Sequence, residues 1–261
     1  MTTTFKDLHR GPDVLVLANC WDGASARLIA SLGAKAMATT SAAVAWAHGY
    51  PDGDFLPIEL YVQTIRAIKR ATDLPLTADA EGGYSDDPAK AVKAVGALVA
   101  AGAVGINLED GGSPPELLVK KIAMIKDAYP DLFVNARTDV YLRALATGDA
   151  AIKESIARAT LYTNAGADGI FVPGPADEAT IKALCAGIER PVNILARPGL
   201  PAAAKLKELG VRRLSSGSGL MQWAWGHIGQ LAKQFLADGA SDAMGQGSVP
   251  YGTINGLFPA S

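Results

Sequence analysis

Along nearly the whole chain, short apolar runs alternate with longer stretches that are rich in Ala and Lys and carry apolar residues at helical spacing. The short runs are VLVLANC (14–20), KAMATT (35–40), LPLTADAE (74–81), VGINLED (104–110), LFVNARTD (132–139), DGIFVP (168–173), PVNILA (191–196) and VRRLSS (211–216). Between them lie segments such as ASARLIASLG, IELYVQTIRAIKRA, DPAKAVKAVGALVAAG and DAAIKESIARATLYTNAG. The pattern predicts eight strand-helix units, and strands alternating with helices of this length pair in parallel.

The punctuation repeats with the unit. SLGAKAM, AAGAVGI, NAGADGI and ELGVRRL each place a Gly after a helical run and just before a strand, where a helix ends in a left-handed turn. Eight such units predict an α/β fold, a (β/α)8 barrel of the TIM type, in preference to an open doubly wound sheet. No GxGxxG follows the first strand, which argues against a dinucleotide-binding fold. Residues 1–261 are expected to form this one domain, with 220–261 as a C-terminal helical extension and tail. QWAWGHIGQLAKQFLADG puts Trp223, Ile228, Leu231, Phe235 and Leu236 on a broad apolar face. The Gly-rich MGQGSVPYGTINGLFPAS is expected to be irregular but docked through Tyr251, Ile254, Leu257 and Phe258.

In such a barrel the working residues lie at the carboxyl ends of the strands. The run LTADAEGGY delivers Asp79 and Glu81 into a glycine pair, the next run ends with Asn107, Glu109 and Asp110, and the one after with Asn135, Arg137 and Asp139. If each run is extended throughout, period-two alternation places Asp79 with Glu81, Asn107 with Glu109, and Asn135 with Arg137 and Asp139, each set on one face. A salt-linked polar layer accounts for any one of these residues. Three adjacent strands turning charged at the same end point to a cation or a substrate, because buried charge is costly without a partner. Residues two apart on a strand are about 6.6 Å apart, whereas oxygens sharing one Mg²⁺ at about 2.1 Å lie within about 4.2 Å of each other. One direct carboxylate is therefore expected, with the other acids holding metal-bound waters. All-oxygen donors favour Mg²⁺ or Mn²⁺ over Zn²⁺.

Composition removes other classes. At 49% apolar and 19% charged residues the chain is not disordered, and 24 basic against 26 acidic side chains give a net charge of -2 that attracts neither nucleic acid nor an anionic membrane. The two cysteines, Cys20 and Cys185, form no disulfide framework or CxxC metal motif, and no run approaches membrane-span length. With no secretory cleavage pattern at the start of the chain, a cytoplasmic location is expected.

The motifs NCWDGASARLIASLGAKAMATTSAAVAWAHGYPD (19–52), LTADAEGGY, GINLEDG, NARTDVYL and AGADGIFVPG (165–174) keep their order and spacing through nearly the whole barrel. In them the chain resembles the isocitrate lyase and phosphoenolpyruvate mutase (phosphonomutase) superfamily. The resemblance implies that Asp79 is the carboxylate holding Mg²⁺, with Glu81, Glu109 and Asp52 binding its waters. It implies that Thr40, Ser41 and Ala42, in the loop after the second strand, grip a substrate carboxylate together with Asp52. It also implies that Arg137 pairs with a substrate carboxylate or a developing enolate, with Glu109 beside it in catalysis. A homotetramer or homodimer with exchanged C-terminal helices is implied as well.

The chain departs from the superfamily in one informative place. Members that cleave isocitrate carry a Cys-containing loop after the fourth strand, whereas here Glu109-Asp110 leads into GGSPPELLVKK. The longer gating loop of phosphonate-cleaving members is missing too, and Pro173 stands where some members place a basic or amide residue. The expected function is a Mg²⁺-dependent lyase that cleaves a carbon-carbon bond of a small 2-oxo or 2-hydroxy (di)carboxylic acid through an enolate. The alternatives are a phosphonopyruvate-type phosphonomutase or hydrolase, and a non-catalytic metabolite-binding relative.

Overall fold

The first apolar run breaks at Ala18 into β1 (Leu15–Leu17) and β2 (Asn19–Cys20), and that break closes the sheet. In the computed structural model, which describes residues 4–258, β1 pairs with the last strand and β2 with the next one in sequence. The others are β3 (Met37–Thr39), β4 (Leu76–Asp79), β5 (Gly105–Glu109), β6 (Phe133–Arg137), β7 (Gly169–Phe171), β8 (Val192–Leu195) and β9 (Arg213–Ser215). All pairs are parallel, in the order β1-β9-β8-β7-β6-β5-β4-β3-β2, so the eight predicted strands are present and the first is split in two. The Ser216 hydroxyl stitches the seam by accepting from the Asn19 amide at 2.8 Å, while the Ser216 amide donates to the Leu17 carbonyl at 3.0 Å. The fold is a (β/α)8 TIM-like barrel.

Around the strands stand α2 (Gly23–Ser31), α4 (Ile58–Ala71), α5 (Pro88–Ala101), α6 (Pro115–Ala128), α7 (Gly148–Asn164), α8 (Glu178–Gly187) and α9 (Ala203–Glu208). The four glycines expected to stop helices, Gly33, Gly102, Gly166 and Gly210, all have positive φ, from 89° to 115°. A β-carbon would be strained in that region. Outward residues of the strands, such as Leu76, Ala78, Ile106, Leu108, Val134 and Ala136, pack with the helices in the main core.

The inward residues are mostly polar, which leaves the barrel floor in need of an apolar plug. It comes from α1 (Phe5–Leu8), a short helix that the sequence pattern did not suggest. Phe5 packs with Leu15, Leu17, Ala36, Ala38 and Phe133 in a second core, and His9 stacks on Phe133 with ring centroids 4.1 Å apart. Burial, and then Arg213, push His9 down to about 3, so it is neutral there. Above the plug, Arg213 donates to the Asn107 side chain at 3.1 Å and Asn135 donates to Asn107 and Asn193 at 2.8 and 3.2 Å.

The tail corrects one expectation. After α10 (Gly219–Asp238) and a short 3₁₀ turn (Asp242–Gly245), residues expected to be irregular form α11 (Tyr251–Gly256). Pro250 explains this, because its fixed φ of -56° starts the helix from the residue before Tyr251. The guanidinium of Arg27 in α2 donates to the Leu257 carbonyl, so the tail returns to the barrel wall. Residues 259–261 lie outside the described part.

The plug makes a stability prediction. Phe5→Ala should lower the unfolding free energy by about 3–5 kcal/mol, as for a large aromatic deleted from a core. Urea denaturation followed by tryptophan fluorescence measures this, and an unchanged midpoint would show that α1 is not part of the core.

Candidate active site at the barrel mouth

β4 is buried throughout and ends at Asp79. The Asp79 amide donates to the Thr39 hydroxyl at 2.9 Å, which is itself bonded to the Tyr61 hydroxyl at 2.6 Å. One carboxylate oxygen, Oδ2, accepts from the Ser41 amide at 3.3 Å. The other, Oδ1, is buried and has no hydrogen-bond partner among the described residues. Burial raises its pKa, against the pull of Arg137.

Glu81 is not where alternation would place it. The strand ends at Asp79, and Glu81 has φ +49°, so it enters the site from a left-handed turn and not from the strand face. A non-glycine residue in that conformation costs about 1 kcal/mol or more. The turn is held in compensation: the Glu81 carboxylate accepts from the Asp54 amide, Asp54 Oδ1 accepts from the Tyr84 amide at 3.2 Å, and Lys121 donates to the Gly82 carbonyl at 2.6 Å. A β-carbon on Gly82 would sit 2.9 Å from Asp54 Oδ2, which accounts for a glycine there.

The next two strands are in register, with Asn107 opposite Asn135 and Glu109 opposite Arg137. Arg137 is tightly held. Its Nη1 lies 2.6 Å from Glu109 Oε2, and its Nε and Nη2 form a fork onto Asp139 at 2.6 and 3.0 Å. The fork reaches Asp139 from beyond the end of β6, so the approach is made in a loop and not along one strand face. Burial pushes both Glu81 and Glu109 up to about 8. For Glu81, Asp54, Asp79 and Asp52 add to the effect, and for Glu109 Asp79, Asp139 and Glu81 do so against Arg137.

The remaining candidates are placed as follows. Thr40, Ser41 and Ala42 are not loop residues: Thr40 is the N-cap of α3 (Ser41–Ala47), and Ser41 and Ala42 form its first turn. Thr40 and Ala42 are buried, whereas Asp52 is exposed on the loop above, within electrostatic reach of Asp79 and Glu81. His48 hydrogen-bonds the Thr64 hydroxyl at 2.7 Å, and burial pushes the Cys20 thiol up to about 12. Trp46 lies 6.1 Å from Trp225 of α10, ring centroid to centroid. Among the described residues no three His, Cys, Asp or Glu side chains are gathered as a complete ligand set for one ion.

Comparison with known proteins places this mouth in a family. Residues 5–236 match the phosphoenolpyruvate phosphomutase family. The chain belongs to that family. An uncharacterized protein of Mycobacterium tuberculosis is 36% identical, covering 96% of this chain and 94% of its own. Oxaloacetate decarboxylase 2 of Pseudomonas fluorescens is 28% identical, covering 82% of this chain and 77% of its own. The crystal structure of a phosphonopyruvate hydrolase in complex with oxalate and Mg²⁺ superposes with a TM-score of 0.84 at 21% identity, covering 97% of this chain and 92% of its own, which shows the shared fold.

Three residues at this phosphomutase-family mouth were not singled out from sequence. A cavity of about 230 Å³ beside Glu81 and Glu109 is also lined by Asp54, Lys121 and Arg143. Lys121 did leave a signal, because it falls with Leu118, Ile122 and Ile125 on the buried stripe of α6, where a lysine is out of place. Asp54 left none, since its contacts to Glu81 and Tyr84 span 27 and 30 residues.

The acids predict a pH dependence. Glu81 and Glu109 keep their protons up to about 8 in the folded chain, against an ordinary value of 4.5. Between those values the folded state binds more protons than the unfolded one, so stability falls as pH rises. His9, neutral when folded, acts in the opposite sense only below about pH 6.5. Melting temperature in chelator-treated buffer should therefore decline from about pH 6.5 to 8.5, and Glu81→Gln should flatten the decline. A flat or rising profile for the parent chain would contradict the assigned burial of these acids.

Proposed function

We propose that the protein is a Mg²⁺-dependent enzyme that cleaves a carbon-carbon bond of a small 2-oxo or 2-hydroxy (di)carboxylic acid through an enolate. The observation that carries this is the buried Oδ1 of Asp79, without a partner among the described residues, beside Glu81 and Glu109, with Arg137 at the same mouth. Two carboxyls that retain protons to about 8 form a place that a divalent cation would relieve, and a donor set of oxygens alone suits Mg²⁺ or Mn²⁺. Asp79 would hold the ion directly, with Glu81, Glu109 and Asp52 around its waters. Bound there, the ion supplies Lewis-acid stabilisation of negative charge on a substrate oxygen.

The chain's own groups supply the rest. Arg137, held cationic by Glu109 and Asp139 against the cost of burial, would face a substrate carboxylate or the enolate oxygen. Glu109, 2.6 Å from Arg137 Nη1, would stand with it at the reacting end of the substrate. Thr40, Ser41 and Ala42, at the start of α3, would orient the substrate carboxylate. The carbon-carbon cleaving decarboxylase among the relatives supports this reading. The phosphonopyruvate hydrolase with the same fold supports a second one, cleavage of a phosphonate, for which phosphate release from phosphonopyruvate is the test. Saturable oxalate binding with no turnover across both substrate classes would instead indicate a metabolite-binding relative.

A cytoplasmic homo-oligomer goes with this reading. Among the described residues no helix is long and apolar enough to cross a membrane. On α10, Trp223, Ile228 and Leu236 are 66%, 59% and 83% exposed, more apolar surface than an isolated chain ordinarily leaves in water. A second copy of this chain would cover it, as a dimer or tetramer.

Asp79→Ala should reduce metal-dependent turnover by about a hundredfold or more while leaving the circular dichroism spectrum unchanged, and undiminished activity would remove Asp79 from the site. Light scattering coupled to gel filtration should give twice or four times the 27.0 kDa chain mass, and a clean monomer would contradict the oligomer.

A further inference from the structure

We infer that Arg158 and Tyr162 of α7 act through Asp110 as positioning residues that aim the Arg137 guanidinium. The inference rests on the reading that Arg137 meets the substrate's negative charge, and it adds residues that sit behind the mouth and not in it.

The observation is a chain of buried contacts running from a peripheral helix to the site. Arg158 and Tyr162, one turn apart on α7, converge on a single oxygen of Asp110: Arg158 Nη1 donates to Oδ2 at 2.9 Å and the Tyr162 hydroxyl donates to it at 2.7 Å. The other oxygen, Oδ1, accepts from the Asp139 and Gly112 amides at 3.0 and 3.1 Å. The Asp110 amide in turn donates to the Arg137 carbonyl at 3.2 Å. Asp110 thus grips the segment from Arg137 to Asp139 at both ends. The Asp139 side chain carries the constraint forward by its fork onto Arg137, which ends on Glu109.

Burial makes the chain stiff. Asp110, Arg158, Asp139 and Tyr162 are 6%, 8%, 1% and 0% exposed. Four donors saturate the Asp110 carboxylate, which has about four lone-pair sites. It has no capacity left to ligate a cation or take a proton, so what it contributes is direction. A carboxylate needed only to neutralise Arg158 would not also have to receive Tyr162 and two amides from the segment that carries the site arginine. Charge-assisted bonds of this kind are short and directional. Loosening one should let the Asp139 fork drift, and with it the guanidinium.

The test separates anion binding from cation binding. Oxalate affinity is measured by calorimetry in saturating Mn²⁺, and Mn²⁺ affinity by electron paramagnetic resonance, on the full chain. Tyr162→Phe, which removes one hydroxyl and no packing volume, should weaken oxalate about tenfold and leave Mn²⁺ affinity within about twofold, since the chain of contacts reaches only Glu109, which would hold a metal-bound water, and not Asp79, which would hold the ion. Arg158→Met should do the same, and Arg158→Lys should recover part of the loss. Arg137→Met is the reference, with a loss of about a hundredfold.

Oxalate affinity unchanged in Tyr162→Phe and Arg158→Met, but lost in Arg137→Met, overturns the positioning role and leaves the site reading intact. Oxalate affinity unchanged in Arg137→Met overturns both. Oxalate and Mn²⁺ affinities falling together, in step with melting temperature, would show a merely structural role and also overturn the proposal.

Discussion

The Arg137 guanidinium stands among more acids than it can neutralise, Asp79, Glu109 and Asp139, at the open end of the barrel, and the surrounding structure is arranged to hold that imbalance. Burying carboxyls in excess of the cations beside them is unfavourable in itself. The chain offsets it by giving Asp139 a bidentate partner, by letting Glu81 and Glu109 retain protons to about 8, and by closing each approach with backbone amides. The exception is Oδ1 of Asp79, a full acceptor that nothing among the described residues satisfies. A site built this way is short of positive charge, a condition that a divalent cation would meet and so admit an anionic substrate.

The same imbalance explains the unusual interior. TIM-type barrels fill their centre with branched apolar layers, but here Arg213, Asn107, Asn135 and Asn193 occupy it, each joined to the next by a side-chain bond. Arg213 is fully buried, and desolvation pulls it down to about 9 although Asp79 favours its charge. A polar layer of this kind cannot also seal the floor. That task falls to Phe5, Phe133 and the neutral ring of His9, from a helix outside the repeating units. Site and plug are therefore two consequences of one choice of inward residues.

Much of this was legible in the chain itself where the signal is local. The helix-stopping glycines appear as left-handed residues, and the charged strand ends of three neighbouring runs gather at one mouth. Inferences that extended a local rule past its element failed. Alternation from Asp79 to Glu81 crosses the point where β4 ends, and the seven-residue, Ala-rich α3 that holds Ser41 and Ala42 is too short to show helical periodicity clearly. The tail helix was overlooked for the opposite reason: its glycines outweighed the proline that starts it.

The sequence by itself determined the repeating unit, the barrel and the family, because each rests on periodicities within about thirty residues and on motifs kept in order. It also pointed to Asp79 and Glu109 as candidates, since strand ends are local features, whereas Asp54 left no local signal. Only the tertiary structure decided how those acids are employed. Glu81 is fixed by Asp54 at 27 residues' distance, Asp110 by Arg158 and Tyr162 at 48 and 52, and the split first strand by Ser216 at 197. No local pattern encodes such pairs. They exist because closing the sheet brings distant strand ends onto one ring, where each charge must find its partner among whatever the other strands deliver.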